Sequence, residues 1–187
     1  MMDRPVIFSG PMVRAVLVGA KTQTRRLASS PLRAARTGDR LYVRENWRTL
    51  QKFDCLKPSQ LADDRCKITY DADPENRNPL WAFGKMRPSI HMPRWASRLT
   101  LIIEAVRIEP LQSISRSDAI AEGLRLSSNA LEEFWRWPEP YDAGHWLSPP
   151  AAYRWLWEQL HGVASWEANP DILVLTFSVV KANIDRI

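Results

Sequence analysis

The chain has 187 residues, 45% of them hydrophobic and 25% charged, which is the balance of an ordinary globular protein with one well-filled core. Its formal charge of +5 suits a polyanionic partner but is too modest to identify one. No run reaches the roughly 18 apolar residues that span a bilayer, and no apolar h-region opens the chain, so no membrane partner is expected. Cys55 and Cys66 lack the further cysteines of a disulfide framework, which points to a reducing, cytoplasmic setting.

Val6-Ile7-Phe8 reads as a short strand ended by Ser9-Gly10-Pro11, where Ser9 can cap a helix and Pro11 fits its first turn. Met12, Val13, Val16 and Leu17 recur at helical spacing, and Gly19 stops the helix. The stretch Gly19-Ala20-Lys21-Thr22-Gln23-Thr24-Arg25-Arg26 is then expected on a loop leaving that helix. It gathers an amine, two hydroxyls and two guanidinium groups. A buried lysine can lose its proton and act as base for a threonine nucleophile, while the arginines hold an anionic or planar substrate. The same residues also suit a plain basic helix end, with cations offsetting the dipole and hydroxyls bonded to backbone.

Thr37-Gly38-Asp39-Arg40 signals a turn into a strand, Leu41 to Glu45, with Leu41 and Val43 on one face and Tyr42 and Arg44 on the other. Residues 46–95 read as an irregular insertion containing one strand, Cys66 to Tyr70. The strongest strand signal is Ser97 to Ile108, carried by Leu99, Leu101, Ile103, Val106 and Ile108. A break in alternation at Glu104-Ala105 predicts a bulge or bend there. Ser115-Arg116-Ser117-Asp118 resembles a capping box and opens a short helix to Glu122, stopped by Gly123.

An added helical segment is expected at about 128–162. Its main helix opens at Pro149-Pro150, carries a stripe of Tyr153, Leu156, Trp157 and Leu160, and ends at His161-Gly162. Trp135, Trp137, Trp155 and Trp157 are expected to pack these helices. Ile172 to Val180 is apolar almost throughout and is expected to be a central strand. The whole predicts a single α+β domain over residues 1–187, built on a compact, barrel-like sheet. No G-x-G-x-x-G opens a helix, so a dinucleotide fold has no support. His91, His145 and His161 share no ligand spacing with one another or with the cysteines, so neither a metal nor another cofactor is expected.

Several of these segments together resemble one family. The first strand and helix, Gly19 to Arg26, Gly38 to Glu45, Ser115 to Gly123 and the closing strand are similar to the ASCH domain, a small β-barrel of the PUA-like superfamily. Met92-Pro93-Arg94-Trp95-Ala96-Ser97-Arg98 and Ser165-Trp166-Glu167-Ala168-Asn169-Pro170 resemble a longer subgroup frequent in phage and prophage genomes. The family includes compact bacterial enzymes that hydrolyse the amide of N4-acetylcytidine, and others reported to act on or bind RNA. In the amidohydrolases the catalytic set is a lysine, a threonine and a glutamate.

The Lys-Thr-x-Thr-x-Arg motif of those enzymes is matched by Lys21, Thr24 and Arg26, and the register of the short helix gives Glu122. The resemblance thus implies Thr24 as nucleophile, Lys21 as base and Glu122 as the group that serves the leaving nitrogen or the hydrolytic water. Arg25, Arg26, Tyr42, Arg44 and Trp47 are the expected substrate-binding residues, with Tyr42 or Trp47 placed by position alone to stack on a pyrimidine. Two other expectations stand beside the enzyme: a non-catalytic module that binds RNA or a modified base, and a phage accessory protein that binds a host protein. No feature of the sequence sets an oligomeric state.

Overall fold

The computed structural model describes residues 1–62, 66–73, 83–128, 132–138 and 144–187. Parts of the expected insertion (63–65 and 74–82) and of the added helical segment (129–131 and 139–143) lie outside the described residues. In chain order the strands are β1 (Asp3–Ile7), β2 (Gln23–Leu27), β3 (Arg40–Arg44), β4 (Trp47–Arg48), β5 (Thr69–Tyr70), β6 (Thr100–Pro110), β7 (Arg125–Ser128), β8 (Glu133–Arg136) and β9 (Asp171–Val180). The α-helices are α1 (Gly10–Leu17), α2 (Arg116–Ala121), α3 (Pro149–His161) and α4 (Ala164–Glu167).

The protein is α+β. Five strands hydrogen-bond in the order β1-β3-β6-β9-β2, and β4-β5 and β7-β8 form separate two-stranded ladders. The outer strands of the five are β1 and β2, and among the described residues no pairing between them closes the sheet. The chain separates into two compact units. Unit 1 comprises residues 1–14, 39–102 and 179–187, and unit 2 comprises 15–38 and 103–178.

In unit 1, β1 runs parallel to β3 from Asp3↔Arg40 to Ile7↔Arg44, and β3 pairs antiparallel with the start of β6. Leu41 and Val43 are buried while Tyr42 and Arg44 are half-buried, as their alternation predicts. Trp47 is fully enclosed in a cluster with Leu61, Met92 and Ala96. The expected strand from Cys66 shrinks to Thr69–Tyr70, which pairs with Trp47–Arg48. Cys66 and Ile68 instead pack on the Trp47 cluster, because side-chain burial there outweighs extension of a two-residue ladder.

In unit 2, the stretch expected as a loop contains a strand. β2 pairs antiparallel with β9 from Gln23↔Thr176 to Leu27↔Ile172. Gln-Thr-Arg-Arg carries no apolar alternation, so its own pattern gives no strand signal. The partner supplies it: Ile172 to Leu175 and Phe177 are buried, and β9 lies inside the strand order as predicted. β6 continues without interruption through Glu104 and Ala105, both exposed, and Ile108 is 49% exposed, so its apolar face ends at Ile103.

The predicted cap is present on α2, where Asp118 N–H donates to Ser115 Oγ at 3.1 Å. α3 buries Pro149, Ala152, Tyr153, Leu156 and Trp157, whereas Leu160 is 51% exposed, so the stripe stops a turn early. The β7-β8 hairpin, with Phe134 and Trp135 buried, has no counterpart in the sequence expectations. Trp137, Trp135 and Trp157 are buried, and Trp137 Nε1 donates to Ala152 O at 2.8 Å.

Candidate active site

The cluster around Lys21 and Glu122 lies wholly within unit 2. Gly19, at φ +74°, turns the chain out of α1, and Ala20 N–H and Lys21 N–H both donate to Ala15 O at 2.9 and 3.1 Å. Lys21 then forms a single antiparallel bridge with Glu122 at the end of α2, and Thr22 N–H donates to Ala121 O at 2.9 Å. Gly123 makes this close approach feasible. Its φ is +113°, and a Cβ there would lie 3.1 Å from Ala15 Cβ and 3.4 Å from Lys21 Cβ.

The backbone bridge brings the two side chains together. Lys21 Nζ donates to Glu122 Oε2 at 2.5 Å and to Glu122 O at 3.0 Å, with side-chain exposures of 1% and 4%. Burial pushes the Lys21 amine below its ordinary value of 10.5; the Glu122 charge opposes this, and the nearby charges of Arg26 and Arg25 add to it. Lys21 therefore meets the first requirement of a base, which is a site that disfavours its proton.

Arg25 fixes the other side of Glu122. Its Nη2 lies 2.9 Å from Glu109 Oε1 and 3.2 Å from Asp118 Oδ2, and its Nη1 donates to Gln23 Oε1 and stands 3.7 Å from Glu122 Oε1. The Tyr153 ring lies 5.8 Å from its guanidinium carbon. With no side-chain exposure and these partners, the Arg25 guanidinium is committed inside the protein. It orients the carboxylates of its own unit rather than facing a substrate.

Arg107 completes the network, with Nε 2.8 Å from Glu109 Oε2 and Nη2 2.8 Å from Asp118 Oδ1. Burial alone would raise the Asp118 carboxyl, but hydrogen bonds from Ser115, Gln23 and Arg107 and the Arg25 charge hold it well below its usual range. Glu109 is likewise lowered: burial opposes, and the hydrogen bonds of Arg107 and Arg25 prevail. Glu122 Oε1 is buried and accepts no hydrogen bond among the described residues.

Thr24 is 3% exposed on β2 opposite Leu175. Strand alternation puts Thr24 and the half-buried Arg26 on one face and Gln23 and Arg25 on the other. Lys21 and Glu122 are thus in direct contact with Arg25 beside them. No hydrogen bond joins Thr24 to either among the described residues. The remaining three expected residues belong to unit 1. There Arg44 Nε donates to Met92 O at 2.8 Å, Arg94 stands 5.6 Å over the Tyr42 ring, and Trp47 is 0% exposed. Enclosed in that core, Trp47 offers no open ring face for stacking.

Gln23, Glu109, Asp118 and Tyr153 were not among the expected site residues. Gln23 carried a usable signal, since it sits two positions before Arg25 and shares its strand face. Asp118 was absorbed by the capping pattern and Tyr153 by the helical stripe. Burial, and then the Glu122 charge, push the Tyr153 hydroxyl well above its ordinary value. Among the described residues no group of three or more His, Cys, Asp and Glu side chains is placed to hold a metal ion, and no helix is long and apolar enough to cross a membrane.

No family model matches the chain, and no curated protein matches it. Among solved structures it is similar to a crystal structure of a protein from Enterococcus faecalis V583 assigned to the DUF984 family, at 13% identity and a TM-score of 0.43. That match covers 98% of this chain and 79% of the other.

Proposed function

We propose that the chain is an ASCH-type protein of the PUA-like superfamily, with the barrel of that fold, that hydrolyses the amide of an N4-acylated cytidine-like nucleoside. The observation that carries this reading is the buried Lys21–Glu122 pair, joined at 2.5 Å two strand positions before the Gln23–Leu27 strand that bears Thr24. Burial lowers the Lys21 amine, which favours its neutral form as the base.

In that form Lys21 accepts the Thr24 Oγ1 proton as the oxygen attacks the acyl carbonyl, and the resulting ammonium passes it to the departing N4 nitrogen. The C–N bond breaks and an acyl-threonine remains. Water then attacks the acyl carbon and passes a proton to the Glu122 carboxylate. Glu122 returns that proton to the Thr24 oxygen, releasing the acid and restoring the starting pair. Arg26, half-buried on the strand that carries Thr24, is the arginine assigned to the substrate.

The test is cytidine release from N4-acetylcytidine, followed by chromatography for the intact protein and for Lys21→Ala, Thr24→Ala and Glu122→Ala. Each variant is expected to lose about 10²–10⁴-fold in kcat/KM. An inactive intact protein sinks the substrate; undiminished rates in the variants sink the residues. The absence of a Thr24 hydrogen bond to Lys21 favours one second reading, a module that binds a modified base or RNA without turnover. Salt-dependent RNA binding that weakens in Arg26→Ala, together with no cytidine release, would establish it.

A further inference from the structure

The fold treats the two oxygens of the Glu122 carboxylate unequally. Oε2 is engaged by Lys21 Nζ at 2.5 Å, while Oε1 is buried and accepts no hydrogen bond among the described residues. The cation beside it does not fill that place. Arg25 Nη1 stands 3.7 Å away, beyond hydrogen-bond reach, and is bonded to Gln23 Oε1. The carboxylate is also held from swinging out to water, since Lys21 Nζ donates both to its Oε2 and to the Glu122 carbonyl beside a backbone bridge between the two residues.

Buried acceptors are nearly always satisfied, and a charged one left empty is costly. A dry lone pair at the centre of a catalytic pair suits a donor that arrives with the substrate. In an N4-acylated cytidine the scissile nitrogen carries one hydrogen, directly beside the acyl carbon that Thr24 attacks.

We propose that Glu122 Oε1 is the specificity-determining acceptor of this site: it takes the N–H of the scissile nitrogen and so restricts substrates to amides whose leaving nitrogen keeps a hydrogen. The inference rests on the amide-hydrolysis reading. Its hydrogen bond brings N4 beside Lys21, which sits on the other oxygen and passes N4 its proton. Once the amine has left, the hydrolytic water takes over the N–H position and gives its proton to Glu122. An N-methylated amide would instead press a methyl group on a buried charge. A site built to receive a substrate N–H strongly rejects the analogue that lacks it.

N4-acetylcytidine and N4-acetyl-N4-methylcytidine differ at that one hydrogen. The intact protein is expected to hydrolyse the first with a kcat/KM at least about 100-fold higher. Titration calorimetry on Thr24→Ala, which lacks the nucleophile, should show N4-acetylcytidine binding at least tenfold more tightly than its methylated form. In Lys21→Met/Glu122→Leu, checked for folding by circular dichroism, the acceptor is gone and N4-acetylcytidine should bind no more tightly than the methylated form.

Equal turnover of the two amides by the intact protein overturns the proposal and leaves amide hydrolysis standing. Turnover of neither sinks the hydrolysis reading, and the Thr24→Ala affinities then decide the acceptor: a tenfold preference upholds it, and equal affinities or no binding at millimolar concentration overturn it. A tenfold preference that survives in the double variant overturns it too, because other atoms then exclude the methyl group.

Discussion

Replacing Lys21 by Met removes Nζ while keeping most of the stem, so Glu122 stays at 4% exposure without its partner at 2.5 Å. The next cation, Arg25 Nη1, is 3.7 Å from Glu122 Oε1 and is already bonded to Gln23. Breaking a buried pair from one side costs about 3–5 kcal/mol. In a chain of this size each kcal/mol moves the thermal midpoint by about 2–4 °C, so a fall of roughly 10 °C is expected. Lys21→Met/Glu122→Leu removes the stranded charge as well and should return stability to within about 1 kcal/mol of the wild type. Urea denaturation of the four proteins, followed by circular dichroism, gives the coupling directly. At least about 2 kcal/mol is expected, from a single loss of about 3–5 kcal/mol that the double variant recovers to within about 1 kcal/mol.

The pH dependence carries a sign. Unfolded Lys21 holds its proton up to its ordinary 10.5, and the folded amine releases it at lower pH. Between those values the unfolded state binds more protons, so wild-type stability gains from rising pH there, and Lys21→Met lacks that gain. A single variant within about 0.5 kcal/mol of wild type, or two single effects that simply add, would show that no coupled buried pair exists. The base–acid roles of Lys21 and Glu122 would fall with it.

Two further outcomes concern the supports of the pair. The lowered Asp118 carboxyl contributes stability that is full above its ordinary 3.8 and lost as pH falls through its folded value. Asp118→Asn should therefore flatten the acid limb of a stability–pH curve and cost about 1 kcal/mol at neutral pH, the scale of partly solvated ion pairs; an unchanged limb refutes this. Gly123→Ala forces an L side chain to φ +113° against Ala15 and Lys21 and should cost about 1–3 kcal/mol in denaturation. A loss below about 0.5 kcal/mol would mean that the turn beside Glu122 has room to relax.

Local chemistry was legible wherever one element sufficed to express it. The Ser115 cap needs only the first turn of its own helix, and the Leu41/Val43 alternation needs only its own strand. The β9 strand announces its central place by being apolar on both faces. β2 was not legible, because its residues become a strand only through the Ile172–Thr176 ladder and the acids that meet Arg25. The same long-range dependence hid the role of Arg25. In the sequence it is one of two adjacent arginines, and only folding assigns Glu109, Asp118 and Glu122 to it. Lys21 and Glu122 were named from a motif and a helix register 101 residues apart; their mutual burial is a property of the fold.

Strand β9 supplies residues 171–178 to one unit and 179–180 to the other, and this has a consequence for how the protein is made. Unit 1 combines segments from 1–14, 39–102 and 179–187, and unit 2 combines 15–38 with 103–178. A growing chain therefore holds neither unit complete until β9 has emerged. Asn183 tightens that dependence, since its amide nitrogen donates to the carbonyls of Arg94, Trp95 and Ser97 across 86 to 89 residues. Contacts of such sequence separation form slowly and late, so β1, β3 and the Trp47 cluster wait on the ribosome with their apolar faces unsealed. Folding here is a closing event that waits for residues 171–187 rather than a succession of finished parts.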